Sequence, residues 1–161
     1  KGGETTSWHN FAGDFTQRVF IRQQKKGAGL SWESPVSDSK NRGGVRVCFT
    51  GGMGWETEPQ TDGFLLLVNG EEKLRFDVTR KFTRWFSQDK TVELLYLPTW
   101  TSALDSGGFF FLSLPDDPVT GKDTLSFSVR SLGEGSKRWF AVDARQETEK
   151  HLERLQRALA P

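Results

Sequence analysis

The chain has one cysteine, two histidines, one methionine and one tyrosine, and each shortage closes off a class of chemistry. Cys48 has no second cysteine to pair with, so no internal disulfide framework supports the fold. In Val45-Arg46-Val47-Cys48-Phe49 it reads as a small buried hydrophobe on a strand rather than a reactive thiol. One cysteine with the distant His9 and His151 does not make a zinc ligand set. An excess of charge is also lacking. Lys+Arg 22 against Asp+Glu 21 gives a net charge of +1, and the signs are mixed along the chain. No nucleic-acid partner is therefore expected from electrostatic steering. Long apolar runs are absent too; 64–68 and 109–112 are strand-sized, so no membrane partner is expected. The opening Lys1-Gly2-Gly3-Glu4-Thr5-Thr6-Ser7 carries no signal-peptide core, and the polar start and charged end look like a module cut from a longer polypeptide.

Catalytic signatures are equally scarce. Asp105-Ser106-Gly107-Gly108 mimics part of a serine-protease motif, but Leu104 and Phe109 depart from it and only His9 could serve as base. No Gly-x-Ser-x-Gly elbow occurs. Gly121-Lys122-Asp123 is no phosphate loop, because Asp123 stands where a metal-binding hydroxyl is required. A glycosidase needs two convergent carboxylates at no fixed spacing. Glu56 and Glu58 are two apart, and on an extended segment they point to opposite sides. The expectation is a chain that is not itself an enzyme.

What the chain does have is flat apolar surface: six tryptophans and thirteen phenylalanines. Aromatic rings bury a large area at low entropic cost, and tryptophan keeps an N–H for a partner. At 161 residues the chain is long enough to bury a core as a single domain. From 15 to 142 it reads as short strands separated by glycine, proline and small polar residues. Val45, Val47 and Phe49 alternate with Arg46 and Cys48, the period of a half-buried strand. The clearest local signal is a hairpin, Phe64-Leu65-Leu66-Leu67-Val68 into Asn69-Gly70, followed by the alternating Leu74, Phe76 and Val78. Asn-Gly supplies the positive φ values of a type I′ turn. The first arm, apolar on both faces, belongs at the centre of a sheet, and the second, with one wet face, nearer an edge.

Further strands are expected at 91–97, 108–114, 124–129 and 138–142. Such punctuation predicts an all-β fold, a two-sheet antiparallel β-sandwich over residues 1–142. Between 79 and 90 no period is clear; Phe82, Trp85 and Phe86 share a helical face or plug one end of the core. Over 143–161 there is no internal glycine or proline, and Leu152, Leu155 and Leu159 recur at helical spacing. This predicts a C-terminal α-helix, which either packs on the sandwich or connects to another module.

The loop 51–62 is the leading binding candidate, because long ordered loops carry function more often than short ones. Trp55 offers a flat face, and Glu56, Glu58, Gln60 and Asp62 offer acceptors. A pyranose needs that pair of features, since its axial C–H face stacks on an aromatic ring while its hydroxyls seek hydrogen bonds. The alternative is that Trp55 folds inward as a lid on the core. If the strands listed above alternate in direction, Trp55 and Trp85 emerge at one end of the sandwich and Trp100 at the other. Trp85, flanked by Arg80, Lys81 and Arg84, then either extends the Trp55 platform or fills the core. Trp100, in Pro98-Thr99-Trp100-Thr101, is the rival platform, and Trp32 and Trp139 are expected in the core.

The run from Phe64 to Val78 resembles the hairpin "…L.VNG..…F.V" of galactose-binding-like jelly rolls. The wider order is similar: a Trp-Glu strand at Trp32-Glu33, a glycine-rich loop at Gly51-Gly52-Met53-Gly54, a Ser-Gly-Gly strand at Ser106 and a closing Arg138-Trp139-Phe140. The resemblance implies a jelly-roll carbohydrate-binding module, accessory to a catalytic domain of the same polypeptide and secreted or periplasmic. Its partner would be a polysaccharide or oligosaccharide. It implies no cofactor beyond the structural calcium that such jelly rolls often carry, for which Asp14 and Asp116-Asp117 offer oxygens. A structural or protein-interaction domain that binds no sugar is the other expectation, motivated by the leucine stripe.

Overall fold

A computed structural model describes residues 4–6, 18–22, 26–27, 29–35, 45–53, 62–101, 106–115, 124–134, 138–143, 157 and 160. In chain order the strands are β1 (Glu4–Thr6), β2 (Arg18–Arg22), β3 (Gly29–Pro35), β4 (Val45–Met53), β5 (Phe64–Val68) and β6 (Glu71–Phe76). They continue as β7 (Thr83–Phe86), β8 (Glu93–Thr101), β9 (Ser106–Leu114), β10 (Thr124–Ser131) and β11 (Arg138–Asp143). They form a seven-stranded sheet, β1-β2-β11-β4-β9-β8-β7, and a four-stranded sheet, β3-β10-β5-β6. Every pairing is antiparallel. The all-β sandwich is thus the architecture, as the strand pattern predicts.

The core follows from period-two alternation in both sheets. Leu94, Tyr96, Phe110, Leu112 and Leu114 come from the larger sheet. They meet Leu30, Phe64, Leu66, Val68, Leu74, Phe76, Leu125, Phe127 and Val129 of the smaller one. In β4 the register carries the inner face onward, with Val45, Val47 and Phe49 opposite Leu114, Leu112 and Phe110. Burying Tyr96 among these side chains pushes its phenol pKa up, because the phenolate would lose its hydration.

The hairpin forms as expected. Asn69 and Gly70 take φ of 51° and 81°, which gives the tight turn its right-handed twist. Asn69 also ties the turn to β10: its N–H donates to the Ser126 carbonyl at 2.7 Å, and its Oδ1 accepts from the Ser126 N–H at 3.1 Å. β5 is buried along its whole length between β10 and β6, and β6 is the edge strand. A bulge between Leu66 and Leu67 shifts the register within the hairpin.

Two strands go beyond the sequence reading. β1 lies at one edge of the larger sheet, and β7 at the other. No helical face describes 82–86, and only Trp85 fills the core: it is half-buried against it while its neighbours Arg84 and Phe86 are exposed, the alternation of an edge strand. β11 runs through Asp143, one residue into the segment predicted as helix. Apart from Asp143, Arg157 and Ala160, the predicted helix lies outside the described residues. No helix among those described is long and apolar enough to cross a membrane.

Where the two sheets approach at this end, a buried arginine joins them. Arg138 is 5% exposed; its Nε donates to the Val78 carbonyl at 3.0 Å and lies 3.6 Å from the Asp77 carboxylate. The same Asp77 oxygen accepts the Val78 N–H at 2.7 Å. A guanidinium can enter a core when acceptors replace its water, and at Nε a carbonyl and a carboxylate do so, whereas Nη1 is buried without a hydrogen bond.

Candidate functional site

β4 ends at Met53, which is the register partner of Ser106, and Ser106 is the partner of Thr101. The connection that follows β4 therefore leaves the sheet beside the connection between β8 and β9. This corrects the expected arrangement of ends. Trp85 is the partner of Leu94, Leu94 of Leu112, and Leu112 of Val47, which sets Trp85 toward the other end of the strands. The physical cause is β7. One strand omitted between 79 and 90 reverses the direction assigned to every strand after it, so Trp100 belongs at the end where the Trp55 loop departs.

At that end the register brings together a row of unusual composition. Trp139 in β11 is opposite Gly52 in β4, Gly52 is opposite Gly107 in β9, and Gly107 is opposite Trp100 in β8. Directly opposed residues share a face of a sheet. The row therefore joins two tryptophan positions through two glycines, on the face that also holds Leu95, Phe109 and Phe111. By register Trp139, expected in the core, is placed in line with Phe109 and Phe111, which with Leu95 form a second buried cluster. Cys48, opposite Phe111, shares that face.

The glycine pair of the "Ser-Gly-Gly" strand has a structural explanation. The β8–β9 register shifts between Pro98 and Trp100, and the bulge brings the Leu97 carbonyl against Gly108. A Cβ at Gly108 would lie 2.2 Å from that oxygen, so no other residue fits. The likeness to a protease motif is thus a by-product of a bulge that sets Trp100 opposite Gly107.

The remaining predicted residues divide clearly. Trp55, Glu56, Glu58 and Gln60 lie outside the described residues, as do Asp14, Asp116 and Asp117. Among the described residues no three His, Cys, Asp or Glu side chains gather as a metal site. Trp32 packs against the core and stacks on Phe127, ring centroids 5.6 Å apart. Trp85 also packs inward, with its ring 6.2 Å from those of Phe76 and Phe110. By register it stands apart from the Trp100 end.

Two features were not foreseen. On the outer side of β7, Phe82 and Phe86 are 41% and 49% exposed. The Arg84 guanidinium sits 5.5 Å from the Phe82 ring centroid and 3.5 Å from Glu93. Alternation in 82–86 could have revealed this strip had the segment been read as a strand. The second feature is an open groove of about 610 Å³. One wall is Leu65 with Glu72, Lys73, Leu74 and Arg75 of β6; the other is the turn containing Ser87, Gln88, Asp89, Thr91 and Val92. No local pattern announces a groove whose walls come from separate sheets.

The turn wall is tightly organised. Asp89 Oδ1 accepts from Ser87 Oγ at 2.5 Å, Thr91 Oγ1 at 2.8 Å and the Thr91 N–H at 3.1 Å. The Ser87 hydroxyl, followed by the two Thr91 donors, lowers the Asp89 pKa to about 2. Ser87 Oγ in turn accepts the Val92 N–H at 3.0 Å, and Lys90 holds a positive φ of 60°. No known protein family, curated protein or solved structure matches the chain.

Proposed function

We propose that the chain is a non-catalytic carbohydrate-binding module with a jelly-roll sandwich, which holds a polysaccharide at the end of the larger sheet where β4 and β8 finish. One observation carries this reading. Because Met53, Ser106 and Thr101 are register partners, the connection bearing Trp55, Glu56, Glu58 and Gln60 departs beside Trp100. An aromatic position is thereby joined to a loop rich in acceptors, which matches what a pyranose asks for: a flat face and hydrogen-bond partners. The glycines at 52 and 107 support it further, since neither raises a side chain beside the Trp100 position. The module would serve a catalytic domain of the same polypeptide outside the cytoplasm, raising that enzyme's local concentration on its substrate. A structural calcium ion belongs to the same proposal.

The test is isothermal titration against a panel of soluble glycans. Wild type should bind at least one, and Trp100→Ala and Trp55→Ala should each weaken that binding by tenfold or more. Undiminished affinity in both variants would overturn the aromatic platform.

A second reading, a protein-interaction domain without a sugar ligand, is favoured by a different observation: the exposed Phe82 and Phe86 on edge strand β7. Aromatic rings and arginine are enriched where proteins meet.

A further inference from the structure

The groove between β6 and the turn at 87–92 has the makings of a binding site, and its chemistry narrows the ligand. Its volume, about 610 Å³, lies within the range of small-molecule sites. The apolar lining comes from Leu65, Leu74 and Val92, all buried. No aromatic ring lines it, so a nucleobase or other flat ligand would find nothing to stack on. The charged groups are Glu72 and Asp89 against Lys73 and Arg75, and Lys73 is already paired with Glu71 at 2.8 Å. An anionic ligand therefore gains no net attraction. What the groove offers best is a match to a neutral molecule that asks for donors and acceptors together.

Asp89 makes this more specific. All three of its bonds to Ser87 and Thr91 converge on Oδ1, and none of them uses Oδ2. The turn thus fixes the carboxylate in place without consuming its second oxygen. A pre-set ionised acceptor facing a ligand spends no ordering entropy on binding, and bonds to charged groups are the stronger kind. Across the groove Arg75 supplies a planar set of N–H donors, and Gln88 adds one donor group and one acceptor. A carboxylate oxygen, a guanidinium and an amide around one groove suit the hydroxyls of a sugar ring.

We propose that this groove is a second carbohydrate subsite, holding one or two sugar units of a neutral glycan through hydroxyl bonds to Asp89 Oδ2, Arg75 and Gln88. The inference deepens the carbohydrate-binding reading and rests on it. The two subsites would be well separated. Glu93, next to the turn, pairs with Ser113, whereas Thr101 pairs with Ser106 at the far end of β8 and β9. With eight residue steps from Glu93 to Thr101 at roughly 3.3 Å each, the separation is about 26 Å. Two subsites on one rigid module would grip one long chain, or two neighbouring chains, with an avidity that neither reaches alone.

The test uses the full chain labelled with ¹⁵N, titrated with cellotetraose, xylotetraose, mannotetraose and laminaritetraose, with free glycine as a zwitterionic control. Amide shifts of Glu72, Arg75, Asp89 and Thr91 should move with at least one tetrasaccharide, in wild type and equally in the Trp55→Ala/Trp100→Ala double variant. Asp89→Asn is the informative substitution, because its Oδ1 can keep the bonds from Ser87 and Thr91 while the second oxygen becomes an NH₂ donor. It should weaken binding at the groove by about tenfold to a hundredfold, the range for a hydrogen bond to a charged group. Arg75→Ala should do likewise. Tetrasaccharide binding that depends on Trp55 and Trp100 but leaves the groove amides unmoved overturns the inference and spares the function. Groove shifts produced by glycine alone, or persisting unchanged in Asp89→Asn, also overturn it. Wild type that binds none of the four sugars overturns both.

Discussion

Gly63 and Asn69-Gly70 lie in one short stretch, yet only the second was legible in the sequence. Asn-Gly between two alternating arms is a local signal, because the turn's demand for positive φ is met by the turn residues themselves. The need for glycine at 63 arises elsewhere: at φ 76° a Cβ there would stand 2.4 Å from the Phe76 carbonyl oxygen, thirteen positions along the chain. Gly63→Ala should therefore cost about 3 kcal/mol in urea denaturation, combining left-handed strain with a backbone clash. Gly70→Ala, with φ 81° and nothing within 4 Å, should cost only about 1 kcal/mol. Equal losses in the two variants would refute the steric account. Asp89 gives a prediction of a different kind. Hydrogen bonds from Ser87 and Thr91 lower its pKa to about 2, below the ordinary value in the unfolded chain. Its contribution to stability is then complete above the ordinary carboxylate range and is lost as pH falls toward 2. Replacing it with asparagine, which does not titrate, should flatten the fall of stability with acid across that window. Thermal melts of both proteins from pH 5 to pH 2 would measure the difference, and parallel profiles would contradict it.

At the scale of elements, the alternating strands were readable and β7 was not. Its two aromatic neighbours Trp85 and Phe86 point to opposite sides, and Phe82 lies just before the strand, so three large rings blur a period of two into something resembling a helical face. The cost of that one ambiguity was large, because strand parity propagates along the chain and moved Trp100 to the wrong end. The structure separates the three rings by role. Trp85 contacts Phe76 and Phe110 in the core, while Phe82 and Phe86 face solvent. Trp85→Ala should accordingly destabilise by about 2–3 kcal/mol through lost packing, whether or not glycans are present. The double variant Phe82→Ser/Phe86→Ser should stay within about 0.5 kcal/mol of wild type, as exposed substitutions do. If the interaction reading is right, the same double variant loses self-association or docking in light scattering; an unchanged mass leaves the strip without that role. Chemical denaturation and light scattering on the same three proteins would read all of these outcomes.

For the molecule as a whole, local alternation could say that two apolar faces meet but not which strands lie side by side. β11 is inserted between β2 and β4, so the last described strand completes a sheet begun by the first two. No run of neighbouring residues encodes that insertion; it is the outcome of packing a closed core from both ends of the chain. β2 has β1 and β11 as neighbours, so without β11 the β1–β2 pair would be detached from the rest of the sheet. β4 would become an edge, and the Val78 carbonyl would lose the Arg138 guanidinium that it accepts from inside the core. Non-local pairings of this kind must all be in place before burial rewards them, which makes folding cooperative and slow. A chain ended after residue 134 should therefore lose its cooperative thermal transition and its near-ultraviolet circular dichroism together, rather than melt a few degrees earlier. The Arg138→Met variant separates the two contributions. It keeps the strand but removes the buried ion pair and the bond to Val78, and should retain a single cooperative transition at lower stability. A truncated chain that still melts sharply would mean that the larger sheet holds together without its central late strand, and that the order of strands matters less than the apolar faces they present.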